Sequence, residues 1–174
     1  MNGGPRVISV RAGNVIGGGD FAENRLLPDL IRGFSANTSV SIRNPNSTRP
    51  WQHVLDPLNG YINALVHTLE GGKEEAFNFG PKEESLAVSE VVKIASDVWG
   101  GNVKTVLEKE VIENKESLTL QLDSTLANSV LGWKPTWIQK DSIVSTVQWW
   151  KKILLDDEDP LSACHSDIET LLNN

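Results

Sequence analysis

The chain has one cysteine, Cys164, so neither an intrachain disulfide nor a cysteine-cluster metal site can form. Its sequence contains no apolar run near the roughly 20 residues of a membrane span, and its first residues lack the apolar stretch of a signal peptide. The formal net charge of -7 lacks the basic excess that a duplex nucleic-acid binder needs. We therefore expect a soluble, cytoplasmic protein with neither a nucleic-acid nor a membrane partner, and without a metal.

The N-terminal part of the chain predicts a strand, a loop and a helix. Residues 6–10 are β-branched and predict a buried strand, and the glycine-rich residues 13–20 predict a loop. Glycines there permit either the close approach of a ligand or a flexible connector. A helix is predicted to begin near Leu27, because Pro28 fits only a first turn. A strand over 40–43 and a turn over 44–47 follow.

The clearest predicted helix begins at Asp56-Pro57, which resembles an N-cap followed by proline, and it ends at Gly71-Gly72. Its apolar positions predict a buried stripe, made of Leu58, Tyr61, Ile62, Leu65, Val66 and Leu69. Downstream patterns predict strands at 76–80, 103–107 and 118–122, and helices at 88–99, 123–131 and 141–154 with a final helical tail. The mixture indicates an α/β fold.

Common catalytic motifs are missing from the sequence. It has no phosphate-binding Gly-x-x-x-x-Gly-Lys loop, Gly-x-Ser-x-Gly elbow or His-Glu-x-x-His helix, and residues 13–19 do not fit Gly-x-Gly-x-x-Gly. His53 lies in an Arg-Pro-Trp-Gln-His cluster, which indicates either a site or a strand-to-helix corner with Trp51 in the core. Three arginines at the edges of predicted elements, Arg25, Arg43 and Arg49, favour either an anion site or neutralisation of nearby carboxylates.

Residues 10–21, Val-Arg-Ala-Gly-Asn-Val-Ile-Gly-Gly-Gly-Asp-Phe, resemble a stretch typical of the CDP-glucose 4,6-dehydratases, a family of extended short-chain dehydrogenase/reductases. The resemblance continues in order through residues 25–29, 42–45, 49–55, 77–81, 131–135 and 149–151. It implies the C-terminal part of that fold. Residues 1–24 would end the Rossmann-type core, and residues 25–174 would form a smaller mixed α/β substrate-binding domain.

The resemblance also implies a reaction and its residues. Bound NAD takes a hydride from carbon 4 of the glucose, water is lost across carbons 5 and 6, and the hydride returns to carbon 6. The product would feed deoxysugar synthesis for bacterial surface polysaccharides. Ala12 and Gly13 would lie beside the cofactor. Residues implied on the substrate side are Asn14, Arg25, Leu26, Arg43, Asn44, Arg49 and His53, with Asn14 and Arg49 on the sugar diphosphate.

The sequence departs from the family in its catalytic residues. The family's cofactor loop and Tyr-x-x-x-Lys pair lie upstream of the Arg-Ala-Gly-Asn strand, whereas here the one tyrosine, Tyr61, is followed four positions later by Leu65. We therefore expect no catalytic residue in this chain, no retained NAD and no activity alone, with a missing N-terminal half or a second copy as partner. Residues 6–10 would then expose an unpaired strand edge. A stand-alone nucleotide-sugar binding module and a fragment of a related epimerase remain alternatives, although the Arg-Pro-Trp-Gln-His cluster favours the dehydratase.

Overall fold

Short strands and helices alternate along the computed structural model, which describes residues 5–73, 76–100, 104–107 and 119–173. The strands are β1 (Ser9–Ala12), β2 (Asn14–Ile16), β3 (Val40–Ile42), β4 (Thr48–Arg49), β5 (Trp51–His53), β6 (Ala76–Phe79), β7 (Leu86–Ala87) and β8 (Thr105–Leu107). The helices are α1 (Leu26–Ala36), α2 (Leu55–Leu69), α3 (Val88–Trp99), α4 (Thr125–Leu131), α5 (Gln139–Leu155) and α6 (Pro160–Leu172). This arrangement confirms the predicted mixed α/β class.

The strands pair two by two among the described residues. β1 pairs with β6, β2 with β5 and β3 with β8, all in parallel, whereas β4 and β7 are antiparallel. The register places Asn14 opposite Trp51 and Arg49 opposite Leu86. Pro50 therefore connects β4, which pairs with β7, to β5, which pairs with β2.

Two hydrophobic cores lie beneath these strands. The larger one packs α1, α3 and α5 together and includes Leu30, Ile143 and Val147, each fully buried. The smaller one joins β6 to α2 and α4 through Phe79 and Trp133. Both cores draw residues from either side of residue 24, and the predicted division at that position stays a prediction.

The first predicted strand lies at a different place in the chain. β1 spans Ser9–Ala12 instead of residues 6–10, and Val7 is 81% exposed. Ser9 and Arg11 are exposed, while Val10 packs against the smaller core. The prediction of a buried strand was therefore wrong, because β1 is covered on one face and its alternate side chains point away from the core. β1 does have one sheet neighbour, β6.

Helix α2 is present, but its ends and faces differ from the prediction. Its N-cap is Val54, so Asp56 and Pro57 lie inside the first turn. The buried face carries small residues, and a Cβ at Gly60 would overlap the ring of Phe79. The predicted stripe is mostly exposed, with Ile62 at 61% and Leu69 at 75%. That prediction was wrong, because small side chains bring this helix close to the sheet and leave the large apolar ones outside.

The remaining elements follow the sequence patterns with shifted bounds. α1, α3, α4, α5 and α6 are all present, and β3, β6 and β8 occupy their predicted segments, although residue 103 lies outside the described residues. The predicted turn forms, with the Ser47 N–H donating to the carbonyl of Asn44 at 3.0 Å. The strand predicted over 118–122 was wrong for its described residues, of which Thr119 alone makes a bridge, to Thr48. No described helix is both long and apolar enough to cross a membrane.

Candidate functional site

A cavity of about 680 Å³ lies between the start of α1, strand β3 and the corner formed by β2, β4 and β5. It brings together most of the predicted site residues from separate parts of the sequence. Those that line it are Gly13, Asn14, Arg25, Leu26, Arg43, Asn44 and Arg49. A larger cavity of about 1000 Å³ lies around Gly80 and Trp133 and contains none of them, so we take the smaller cavity as the candidate site.

Asn14 and Arg49 line the same cavity because β2 and β5 are tied together at Pro50. The backbone N–H of Asn14 donates to the Pro50 carbonyl at 2.8 Å. A Cβ on Gly13 would overlap the same carbonyl oxygen, so only glycine allows the two segments to approach this closely. Asn14 begins β2 at the point where Trp51 begins β5. Main-chain geometry therefore fixes the separation of Asn14 and Arg49.

The arginines give the cavity a positive balance. Arg25 forms an ion pair with Asp20, which also lines the cavity, at 3.4 Å between Nη1 and Oδ2. Asp29, the other carboxylate of the wall, forms an ion pair with Arg32 on α1. Arg43 is exposed and makes no hydrogen bond or ion pair within the described residues.

Arg49 is half-buried, and its Nη1 donates to the Thr48 carbonyl at 2.8 Å. The guanidinium is thus held against its own strand. A cavity lined by three arginines, Arg25, Arg43 and Arg49, suits a multivalent anion, since guanidinium groups match phosphate oxygens.

Two predicted residues lie outside this cavity. Ala12 belongs to β1 and does not line the cavity. His53 is 1% exposed, its ring packs on Trp137 at 4.4 Å, and its Nε2 lies 3.5 Å from an Asp167 carboxylate oxygen. His53 does not line this cavity, and its predicted role on the substrate side stays a prediction. Trp51 is buried at a strand-to-helix corner, which is the alternative that the sequence left open.

The glycine-rich segment, predicted as a loop over residues 13–20, forms strand β2 over Asn14–Ile16, and its Gly18 packs against helix α5. A Cβ on Gly18 would overlap the indole of Trp149, and one on Gly17 would press on Val54. Phe21 then meets the edge of Trp150, with ring centroids 5.0 Å apart. The glycines here therefore allow the loop to lie against an aromatic surface. Their effect on the site is indirect, because the loop carries Asp20 into the cavity wall.

Sequence patterns did not indicate that the Asp56 side chain is buried and binds distant backbone N–H groups. It is 1% exposed, and its carboxylate accepts the backbone N–H of Thr136 at 2.6 Å and of Trp137 at 3.3 Å. Burial raises the pKa of Asp56 above its ordinary value, and those two hydrogen bonds oppose the rise. The Asp-Pro pair was the available signal, but it indicated a cap on the helix of Asp56 itself.

Gln139 was also missed. It is 2% exposed, and its side-chain oxygen accepts the backbone N–H of Trp51 at 3.1 Å from 88 residues away. Trp51 lines the same cavity as Arg49. No local pattern in the sequence indicates such a contact, because a glutamine in the first turn of a helix is ordinarily solvated.

The two residues predicted beside the cofactor follow one another at the end of β1. Ala12 ends β1, and a Cβ on Gly13 would overlap the Pro50 carbonyl oxygen. Their place beside a cofactor stays a prediction. The described residues also contain no group of three or more His, Cys, Asp or Glu side chains placed to hold a metal.

Comparison with known proteins places the chain in context. Residues 1–80 match the NAD dependent epimerase/dehydratase family. The chain is 45% identical over 151 residues to the CDP-glucose 4,6-dehydratase of Salmonella typhimurium, an alignment that covers 85% of this chain and 42% of that protein. The chain is homologous to part of a CDP-glucose 4,6-dehydratase. The resemblance drawn from the sequence motifs is thereby confirmed.

Other relatives are epimerases by name. The UDP-glucose 4-epimerase of Lactobacillus helveticus is 27% identical over 145 residues, which are 79% of this chain and 43% of that protein. The chain thus spans somewhat over two fifths of the length of each of these two curated relatives.

Solved structures show the same fold. The UDP-glucose 4-epimerase of Thermotoga maritima, solved with UDP-glucose, has a TM-score of 0.71 at 23% identity, and the match covers 83% of this chain and 46% of that one. The UDP-glucuronic acid 4-epimerase of Bacillus cereus, solved with UDP-glucuronic acid and NAD, has a TM-score of 0.70 at 19% identity over 85% of this chain and 46% of that one. The chain has the fold of part of these epimerases, which confirms the predicted class, part of an extended short-chain dehydrogenase/reductase fold.

Proposed function

We propose that this chain supplies the substrate-binding wall of a nucleotide-sugar 4,6-dehydratase and that its ligand is CDP-glucose. The convergence of Asn14, Arg43 and Arg49 on one cavity, in a chain 45% identical to a CDP-glucose 4,6-dehydratase, is the observation that carries the proposal. The arginines hold the diphosphate by charge-assisted hydrogen bonds, and Asn14 donates to a diphosphate or sugar oxygen. Arg25, Leu26 and Asn44 border the nucleotide.

The chain acts with a second polypeptide segment that supplies the dinucleotide site and the proton-transferring groups. Supporting this are the share of the relative's length that the chain spans, 42%, and the lack of Tyr-x-x-x-Lys in its sequence. The exposed face of α2, formed by Leu58, Ile62, Leu65, Val66 and Leu69, is the surface that this segment covers. Alone, the chain neither turns over nor retains NAD. A cytoplasmic location also stays a prediction.

Isothermal calorimetry with CDP-glucose tests the binding role, first on the chain and then on a full-length relative that carries the matching arginine. Arg49→Ala should weaken binding by about 10- to 150-fold, since one charge-assisted bond is worth roughly 1.5–3 kcal/mol. Arg49→Lys should recover part of the loss, because an ammonium keeps the charge without the planar fork. Arg6→Ala is the matched control, because Arg6 lies outside the cavity and donates to the Thr68 carbonyl.

An unchanged affinity in Arg49→Ala would show that the arginine is structural. Binding of CDP-glucose by the isolated chain, without turnover in the presence of NAD, would favour the stand-alone binding module. Formation of an epimer instead of a 4-keto product by the full-length relative would favour the epimerase, which the epimerase names of the structural neighbours support. Turnover by the isolated chain above a no-protein control would refute the proposal that it needs a second segment.

A further inference from the structure

The backbone of β5 has one edge that no described strand covers. β5 pairs with β2 through the Pro50 carbonyl and the Val54 N–H, so the N–H groups of Trp51 and His53 point to the opposite side. Helix α5 covers that side with side chains of its first turn. Gln139 accepts the Trp51 N–H at 3.1 Å, and Ser142 accepts the His53 N–H at 3.1 Å. The helix thus replaces a neighbouring strand.

The Gln139 side chain also binds the backbone of residues other than Trp51. Its Oε1 also accepts the N–H of Leu86 at 3.4 Å, and its Nε2 donates to the Glu84 carbonyl at 2.6 Å. Leu86 is the residue opposite Arg49 in the β4–β7 pair. One buried amide therefore joins the residue across from Arg49 to Trp51, two positions beyond it. The same side chain therefore binds the strand partner of Arg49 and the residue two positions after Arg49.

We infer that Gln139 is a positioning residue for Arg49. It holds β5 and β7 at a fixed separation, so that the guanidinium enters the cavity already oriented toward an anion. Gln139 itself does not line the cavity. The inference rests on the proposed role of Arg49 at the diphosphate. It adds a residue that neither the motifs nor the cavity lining identifies.

Ser142 offers a matched control on the same helix. It is fully buried and caps the next free N–H of β5, yet it lies at the end of the strand away from Arg49. Gln139→Ala and Ser142→Ala should both lower the melting temperature, because each leaves a buried N–H without an acceptor. Gln139→Ala alone should also raise the Kd for CDP-glucose, by about 10-fold. Gln139→Glu keeps the acceptor oxygen and should restore part of the affinity, although it lacks the donor to Glu84.

The experiment measures melting and CDP-glucose calorimetry for each variant in a full-length relative with matching residues, and in combination with Arg49→Ala. Loss of affinity in Gln139→Ala that disappears in the Arg49→Ala background supports the inference. Equal effects of Gln139→Ala and Ser142→Ala on Kd overturn it, since both would then act through stability. If Arg49→Ala leaves Kd unchanged, the proposed function fails separately.

A second measurement decides the structural part without any ligand. Amide hydrogen exchange followed by NMR in the isolated chain should show faster exchange of Trp51 and Leu86 in Gln139→Ala than in Ser142→Ala. Unchanged exchange at both amides would overturn the inference whatever the binding data show.

Discussion

Replacement of Asp56 should be among the most destabilising single changes in this chain. The Asp56 carboxylate is buried and accepts the backbone N–H groups of Thr136 and Trp137, which lie 80 and 81 residues further along the chain. The Asp56 carbonyl also accepts the indole N–H of Trp133 at 3.0 Å. These contacts join the start of α2 to the segment that precedes α5. Asp56→Ala removes both carboxylate contacts and leaves two backbone donors without an acceptor.

The magnitude follows from the number of bonds and from the cost of burying the charge. A hydrogen bond to a charged group contributes about 1.5–3 kcal/mol, and the substitution removes two. The carboxylate also pays for burial, as its raised pKa indicates, so part of the loss is offset. We expect Asp56→Ala to lower the free energy of unfolding by about 2–4 kcal/mol. For a chain of this size that is a fall in melting temperature of roughly 4–16 °C.

Urea denaturation at pH 7 measures the change, provided that the slope with denaturant is the same in both proteins. Asp123→Ala is the matched control. Its carboxylate also accepts a backbone N–H, that of Thr125 at 2.9 Å, and hydrogen bonds with the Thr125 side chain and with this N–H lower the pKa of Asp123, but the group is exposed. It should shift the midpoint less than Asp56→Ala does. A midpoint for Asp56→Ala within error of the wild type would refute the reasoning.

The pH dependence gives an independent check on Asp56. Because burial raises the pKa of Asp56, the folded state binds this proton more readily than the unfolded state, whose aspartates titrate near pH 4. The contribution of Asp56 to stability should therefore decline as the pH rises from about 4 through the folded pKa. Asp56→Asn lacks this proton, so the stability of the wild type relative to Asp56→Asn should fall over that range. A relative stability that rises with pH would contradict the assignment.

Two further predictions concern the packing of Gly18 and the exposed face of α2. Gly18→Ala should destabilise the chain, because its Cβ would overlap the Trp149 indole. The smaller side chain of Trp149→Leu should make the same glycine change less costly, and additive melting shifts in the double variant would contradict this contact. Leu65→Lys should leave the melting temperature nearly unchanged, since Leu65 is 55% exposed. It should nevertheless reduce the binding of a hydrophobic dye and self-association in size-exclusion chromatography. Glu70→Lys, at an exposed position, is the control, and equal effects of the two changes would argue against the α2 face as an interaction surface.

Local patterns predicted most elements because their signals lie within a few residues. Pro28 limited the start of α1, and the valines of α3 recur at helical spacing and are buried at Val91 and Val92. The same patterns misjudged α2, whose large apolar residues are periodic but lie outside. Periodicity identifies the apolar face of a helix, but it does not tell whether that face is covered. The face of α2 that packs against the sheet carries Gly60 and Ala64, whose small side chains add little to a hydrophobic pattern.

The candidate site divides in the same way. Asn14, Arg43 and Arg49 were identified from motifs and line one cavity, whereas His53 belongs to the same motif as Arg49 but lies outside the cavity, with its Nε2 3.5 Å from an Asp167 carboxylate oxygen. A motif states which residues occur together in sequence. Whether each one lines the cavity depends on how the rest of the chain packs around it, and the ring of His53 packs on Trp137.

The residues that sequence reasoning missed share a physical property. Asp56 and Gln139 are buried polar side chains whose partners are backbone N–H groups more than 50 residues away in sequence. A backbone donor has no residue identity, so no pairing of residue types records such a contact. Yet an unmet buried donor is costly, and each strand edge that lacks a neighbouring strand must find an acceptor. Short two-stranded pairings such as β2–β5 create many such edges. In a chain built of short strands, buried acceptors near strand edges are therefore the first polar residues to examine for control of a neighbouring site.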